Sequence, residues 1–289
     1  MKRKFLIGLI IMSLILSLGL AACGEGDTPE LTEKPSEALE ENITLRVVCT
    51  QHQEPIVRKA ESYFNENGYD LDVRIVEMNV MVPESVQDGS ADMGLGVHLK
   101  FMERYNEEKG GEVIMAQPYA YAGGIGLFSD KYENVDDLPE GAQIVVMTDA
   151  MNQDRGLRMM QHAGLLSLDS GSDNEEEVLY SLIDIVENPK NFEIVEMDQT
   201  QTVRSLIDTD AAVCFFSHIV NAGIDIDSAL LRDQEPQKYP SGFVLAGDER
   251  GGKLEKVAAE VLMIDEVKSF IKEDYKGAYV YFDDLEDAE

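Results

Sequence analysis

The segment Thr148-Asp-Ala-Met-Asn-Gln-Asp-Arg155 concentrates more chemistry than any other stretch of this 289-residue chain. It follows a buried apolar run, Ile144–Met147, and leads into a helical pattern. With Asn152 as the expected N-cap, Arg155 falls in the first helical turn. The helix dipole disfavours a cation there and favours an anion, so an arginine at that place calls for an anionic partner. Free backbone N–H groups and a guanidinium together make a carboxylate clamp. A surface arginine paired with Asp149 or Asp154 satisfies the same spacing, and the pattern does not choose between the two.

A second candidate is His98, which opens a helix just after Gly94-Leu-Gly96. In open α/β sheets, ligands sit beyond the carboxyl ends of the strands. By that rule His98, Arg155 and the residues after the run Ala211–Phe216, namely Ser217 and His218, face one crevice. The plainer reading of a lone histidine is a satisfied or exposed side chain. Catalytic signatures are absent: there is no Gly-x-Ser-x-Gly, no Walker A, no His-Glu-x-x-His and no Gly-x-Gly-x-x-Gly. No pair among His52, His98, His162 and His218 has metal-ligand spacing, so neither a metal nor a cofactor is expected. Cys214 and His218 form the sole nucleophile–base candidate, and a strand end between them would spoil their i,i+4 geometry. The carboxylate pairs Asp70/Asp72, Asp136/Asp137 and Asp225/Asp227 lie in loop-like sequence and read as solvent-facing.

The elements that must position these residues alternate between strand and helix patterns. Leu45–Cys49 is a β-branched run. Pro55 suits a first helical turn, and Ile56, Val57, Ala60, Tyr63 and Phe64 follow at helical spacing until Asn67-Gly68 stops them. Leu71, Val73 and Ile75 alternate as a strand, which completes a unit implying a parallel pair. Further strands are predicted at 91–95, Glu112–Met115, Gly123–Phe128, Ile144–Met147, Phe192–Met197, Ala211–Phe216 and Gly242–Ala246. Helical stripes are predicted around Val97–Tyr105, over Val178, Leu179, Leu182, Ile183 and Val186, briefly at Val203–Ile207, and twice between Leu254 and Ile271. Repeated strand–helix–strand units call for an α/β fold with parallel sheets. Two clusters of strands divide the chain into two lobes, with crossings near Pro118–Gly124 and Ala246–Gly252.

The N-terminus carries an address. A 16-residue apolar run follows Lys2-Arg3-Lys4 and closes on Leu20-Ala-Ala-Cys23, which has the parts of a secretory signal peptide and resembles a bacterial lipobox. Cys23 is then the lipidated mature N-terminus, and residues 1–22 leave the fold argument. Residues 23–42 read as a flexible linker, too polar and acidic to bury a core, and an acidic tail runs from Asp283 to Glu289. The formal charge is −32. Losing Lys2, Arg3 and Lys4 with the signal takes it to −35, which argues against nucleic acid and against adsorption to anionic headgroups; the membrane tether is the lipid. Cys49 and Cys214 sit in apolar runs and are read as buried free thiols, with a disulfide as the alternative in an exported protein.

From about Ile43 to Val280 the chain resembles the NlpA lipoprotein family, the methionine-binding components of ABC importers. The stretches that carry the resemblance are Gly68-Tyr-Asp-Leu-Asp-Val, Asp88-Gly with His98-Leu99, and Ser129-Asp-Lys-Tyr-Glu-Asn-Val-Asp-Asp-Leu-Pro-Glu-Gly-Ala. Asn152-Gln-Asp-Arg155 with Ala163-Gly-Leu, Asp184-Ile-Val-Glu-Asn-Pro-Lys190, Asp210-Ala-Ala-Val and Asp265-Glu-Val-Lys with Tyr275-Lys-Gly add to it.

The resemblance implies a type II periplasmic-binding-protein-like fold. Lobe I would be 43–121 with 249–289, lobe II 122–248, each a mostly parallel sheet flanked by helices, joined by a two-strand hinge. It implies an exported lipoprotein, anchored on the outer face of the cell membrane or on the periplasmic side in a two-membrane cell. Such a protein passes a small amino acid to an ABC permease with its ATPase, and makes or breaks no bond. Arg155 falls on the family's carboxylate-gripping arginine, His98 on its cleft histidine, and Asn152 is kept. The departures are Gly96 for an aromatic, Phe101 for a tyrosine, Asn79 for a tyrosine, Phe215 and Ser217 for asparagines, and an unusual loop, Thr50-Gln-His-Gln-Glu54. They leave open a different amino acid, a small peptide or an amino-acid derivative. A surface adhesin or sensory lipoprotein using the same clamp, and a Cys-dependent enzyme, are the competing readings.

Overall fold

The computed structural model describes residues 42–169, 171–172 and 178–283. The signal segment, Cys23, nearly all of the linker and most of the acidic tail lie outside them. Strands form where β-branched and other apolar residues run together, and two five-stranded sheets result. In the first, the order is Tyr69–Val76, Ile43–Thr50, Met93–Leu95, Val244–Ala246, Val113–Met115. The first three pair in parallel, with Val47 beside Val73 and Met93; Val244–Ala246 joins antiparallel to its neighbours on both sides. The second sheet repeats the plan with Glu193–Met197, Gln143–Met147, Ala211–Phe215, Ile125–Phe128 and Leu231–Arg232. Its first three strands are parallel, and the last two are added antiparallel. Crossover helices between parallel strands cover the sheets, as parallel pairing requires.

Short helices supply that cover. Pro55 sits in the first turn of Glu54–Lys59, and a second helix, Glu61–Glu66, ends at Asn67 before Gly68 at φ +86°. Their apolar face, Ile56, Val57, Ala60 and Phe64, is completely buried. Phe64 meets Phe243 edge to face at 6.0 Å, and a fully buried Ile, Val or Phe side chain contributes about 1.5–3 kcal/mol of transfer free energy. The same core takes in Val257, Val261, Val267 and Ile271 from the two closing helices. The second sheet has its own cluster around Leu127, Ile144, Val146, Leu157 and Met160.

The chain crosses between the sheets twice. It leaves the first after Met115 and enters the second at Ile125, passing through the strand Tyr121–Gly123. It returns after Arg232 through Pro240–Ser241 and re-enters the first sheet at Val244. The two crossing strands pair antiparallel, Ala122 opposite Pro240, and Tyr279–Tyr281 closes this third sheet on the other side.

Three expectations are revised here. The return crossing does not follow Ala246: Val244–Ala246 already belongs to the first sheet. Gly123–Phe128 is not one strand, because the chain changes sheets at Gly124, where a Cβ would lie 2.6 Å from the Phe216 ring. The stripe from Val178 to Val186 is not a helix. Ser181 and Asp184 cap a single 3₁₀ turn, and Ile185–Glu187 then pairs with Ser167–Leu168. Ile183 is 91% exposed, so apolar spacing there reflects no buried face.

Candidate functional site

The helix that presents Arg155 starts earlier than the sequence predicts. Asp149, not Asn152, is the N-cap: its carboxylate accepts from the Asn152 N–H at 3.0 Å, and the helix runs Ala150–His162. A carboxylate is the better cap here because it also suits the positive end of the helix. Arg155 is therefore the sixth helical residue, in the second turn, beyond the reach of the free N–H groups.

Arg155 is also no surface residue. It is 2% exposed, and its partner is neither Asp149 nor Asp154. Asp154 accepts from Arg158 and from the Tyr180 N–H. Arg155 Nε donates to Asp233 at 2.6 Å, Nη2 lies 2.6 Å from the same carboxylate, and Nη2 donates to the Gly123 carbonyl at 2.7 Å. The guanidinium stacks 4.0 Å from the centre of the Tyr239 ring. Burial lowers the Arg155 pKa from its ordinary value, and the Asp233 charge opposes that shift. Among the described residues Nη1 has no partner. It is not sealed in either, since Asp283 Oδ1 is the one described side-chain atom both buried and unpartnered.

His98 caps the helix Leu99–Lys109 through Nδ1, which accepts from the Phe101 N–H at 3.1 Å. That bond places the ring proton on Nε2, which donates to Asn152 Oδ1 at 3.3 Å. Asn152 in turn donates to Asp149 at 2.9 Å and is wholly buried. Burial, reinforced by the Arg155 charge, pushes the His98 pKa down to about 3, so the ring is neutral. The Asp149–Asn152–His98 chain links a helix of the second sheet to one of the first.

A cavity of about 60 Å³ lies between the carboxyl ends of the two sheets. Arg155, His98, Phe101, Asn79, Phe215 and Ser217 all line it. Asn152 does not: it stands behind His98 and holds that ring. Arg155 and Tyr239 also border a wider groove outside. Asn79 donates to Gln199 at 3.0 Å, a bond between the two sheets' loops. Where the resemblance implies an aromatic, Gly96 has φ +146°, and a Cβ would lie 2.7 Å from the Thr50 methyl. Thr50 and its loop thus occupy the space a larger side chain would need.

Sequence reasoning missed much of the wall. His52 and Gln53 enter from the unusual loop after the first strand, and Tyr121, Tyr239 and Tyr279 come from the crossing strands and their neighbours. Gln53 Nε2 donates to the Tyr279 hydroxyl at 2.6 Å, and the Tyr121 hydroxyl donates back to Gln53 Oε1 at 3.3 Å. His52 stacks on His218 with ring centres 3.7 Å apart, and Asn221 donates to His52 Nδ1 at 2.9 Å. The loop's departure from the family's Pro/Gly pattern was the available signal. Asp233 had none, since only strand pairing brings it to Arg155. Cys214 is fully buried, and burial raises its thiol to about 12; the thiolate a nucleophile needs is not accessible at neutral pH. Cys49 and Cys214 are both free. Among the described residues no group of three His, Cys, Asp or Glu side chains could hold a metal ion, and no helix is long and apolar enough to cross a membrane.

The sequence model of the NlpA lipoprotein family matches residues 43–282. The chain is similar to the methionine-binding lipoprotein MetQ of Bacillus subtilis, with 27% identity over 283 residues, 96% of this chain and 98% of that one. It is 26% identical to the D-methionine-binding lipoprotein MetQ of Escherichia coli, covering 97% of this chain and 99% of the other. Among solved structures it is similar to the substrate-binding protein of a methionine transporter from Streptococcus pneumoniae, with TM-score 0.74, 27% identity and coverage of 82% and 95%. A nutrient-binding protein from Burkholderia cenocepacia, bound to methionine, shares the fold at TM-score 0.73 and 24% identity, covering 83% and 99%.

Proposed function

The chain belongs to the NlpA lipoprotein family, and from that premise we propose that it is the substrate-binding lipoprotein of an ABC importer, capturing a small amino acid between two lobes. Methionine, named for the relatives above, is the first ligand to test, and the replaced site residues Asn79, Phe101, Phe215 and Ser217 admit a different free amino acid. Lobe I is taken as the part built on the first sheet, about 43–119 and 243–283, and lobe II as the part built on the second, about 125–232. The paired crossing strands form the hinge. Cys23 carries the lipid that holds the protein on the outer face of the membrane, and an ABC permease with its ATPase receives the ligand.

The observation that carries this reading is Arg155: a nearly inaccessible guanidinium on the wall of a cavity drawn from both sheets, with one nitrogen uncommitted. A carboxylate placed there gains a charge-assisted bond in a low-dielectric site. The present cavity of about 60 Å³ is far smaller than the ~300 Å³ of the smaller ligand pockets. Entry therefore requires the halves to separate at the hinge, as in a clamp. A thermal-shift screen over the free amino acids tests the reading. The ligand raises Tm by mass action, and Phe215→Trp, which fills the cavity, abolishes the rise. A panel in which no amino acid moves Tm refutes it.

A further inference from the structure

The cavity is charged unlike the rest of the molecule. Of 289 residues 56 are acidic, nearly one in five, yet none of the described Asp or Glu residues lines it. Three of the four histidines do, together with Arg155. A wall drawn at random from this composition would include several carboxylates. Their exclusion removes the repulsion that a ligand carboxylate would otherwise meet at close range in a low dielectric, where it is strongest.

His52 and His218 are the part of that wall whose partners among the described residues are all neutral. His98 caps a helix and bonds Asn152, but among the described residues neither His52 nor His218 caps a helix or pairs with an acid. They come from different sheets and stack into one patch, His52 from the loop after Ile43–Thr50 and His218 from the helix Phe216–Asn221. The groups packed around them are neutral: Asn221 on His52 Nδ1, the Phe215 ring 5.3 Å from His218, the Gln199 backbone, and the Tyr275 hydroxyl on the His52 carbonyl. The charged side chains lining the groove beside the pair are Glu77 and Arg204, and neither ion-pairs with a ring. Glu54, two residues along the loop, is turned to Arg58. Burial keeps both imidazoles neutral, His218 at about 3. A carboxylate brought against them supplies the missing opposite charge, which favours the protonated ring.

We propose that the amino acid captured here has an acidic side chain, its α-carboxylate against Nη1 of Arg155 and its side-chain carboxylate against the His52–His218 pair. This rests on the reading of the chain as an amino-acid-binding protein. A thioether offers these rings only a weak acceptor, whereas a carboxylate accepts from both. The carboxylate raises the imidazole pKa values, so binding draws protons from solvent onto the pair, the more so as the pH falls toward 5.5.

The test uses the mature protein and matched probes, L-glutamate against L-glutamine and L-aspartate against L-asparagine, with L-methionine beside them. Titration calorimetry at pH 7 and at lower pH is run in two buffers of different ionisation enthalpy. At least one acidic probe should bind tenfold or more tighter than its amide and than methionine, with a buffer-dependent heat that reports proton uptake and grows as the pH is lowered from 7 toward 5.5. His52→Asn, at a half-buried position, should cut that preference to threefold or less while amide binding persists; His218→Asn should do the same. Methionine or an amide binding as tightly as its acidic counterpart overturns the proposal and leaves amino-acid capture standing. Failure of every probe, and of every other free amino acid, overturns amino-acid capture itself.

Discussion

Among the described residues, replacing Asp233 by Ala removes the only negative charge paired with a guanidinium that is 2% exposed. Taking one partner from a buried ion pair costs about 3–5 kcal/mol, because the other charge stays buried and uncompensated. The Asp233 side chain is 11% accessible, so water can reach part of the gap. The Gly123 carbonyl and the Tyr239 face still hold the cation. Both facts place the cost at the lower end, about 3 kcal/mol. For a domain of this size ~1 kcal/mol moves Tm by roughly 2–4 °C, so the variant should melt about 6–12 °C below the parent. Urea denaturation gives the free energy directly. The gap left by the side chain faces a guanidinium fork, so acetate at tens of millimolar should restore several degrees to Asp233→Ala and leave the parent unmoved. The double variant Arg155→Met/Asp233→Ala should be less destabilised than the sum of the two single changes by at least ~2 kcal/mol. A single variant within ~1 kcal/mol of the parent, with no differential response to acetate, would show that the pair is not the electrostatic unit described here.

Acid should destabilise the fold. The neutral forms of His98 and His218 are held down to about 3 against an unfolded value near 6.5. Between those limits the unfolded chain binds more protons, so stability is full above ~6.5 and falls as pH drops toward ~3. Each histidine should lose on the order of 2 kcal/mol between pH 7 and pH 5, and His98→Asn should remove about half of the combined slope in urea melts across that range. Gly96→Ala forces a side chain into a backbone region that costs about 1–3 kcal/mol and pushes it against Thr50; its midpoint in urea should fall accordingly. Asn152→Ala strands the His98 Nε2–H and removes the side-chain bond to Asp149 while keeping the capping N–H, for about 1–3 kcal/mol, and ligand affinity changes little in whatever fraction folds. Cys49 and Cys214, both raised to about 12, should label with iodoacetamide at pH 8 only at the rate of unfolding, and burst labelling of the native protein would contradict their burial.

Much of this architecture was legible because local signals and tertiary outcome agree. Leu45–Cys49, with its β-branched valines, and the Leu71/Val73/Ile75 alternation both became paired strands, and Pro55 and Gly68 bracket the helices between them as their backbone preferences require. Where apolar spacing misled, at Val178–Val186, a polar cap intervened: Ser181 and Asp184 close one turn tightly enough to end it. Where local sequence reads as one strand from Gly123 to Phe128, the missing information is which sheet each residue joins. Pairing partners lie more than a hundred residues away, as with Ala122 and Pro240, and no window of local sequence contains them. The N-cap misassignment has a simpler cause. Asp149 and Asn152 are both good caps, and only the geometry shows that the anion took the position.

The site was half legible for the same reason. Arg155 and His98 announce themselves by type and by place in a strand–helix junction. Asp233, which pairs with Arg155 and fixes its direction, is 78 residues away, and strand pairing at Leu231–Arg232 delivers it. That hidden carboxylate changes what the site can do. An unpaired arginine would attract any anion in reach, whereas one already held by Asp233, Gly123 and Tyr239 offers a fixed donor in a fixed direction. Selection then depends on where the ligand's other polar groups fall. The surrounding surface charge contributes little to this choice, since exposed charges are screened within about 10 Å while groups inside the cavity are not. A strongly acidic exterior and a cavity wall free of carboxylates are therefore compatible: the first acts through solvent and the second through contact.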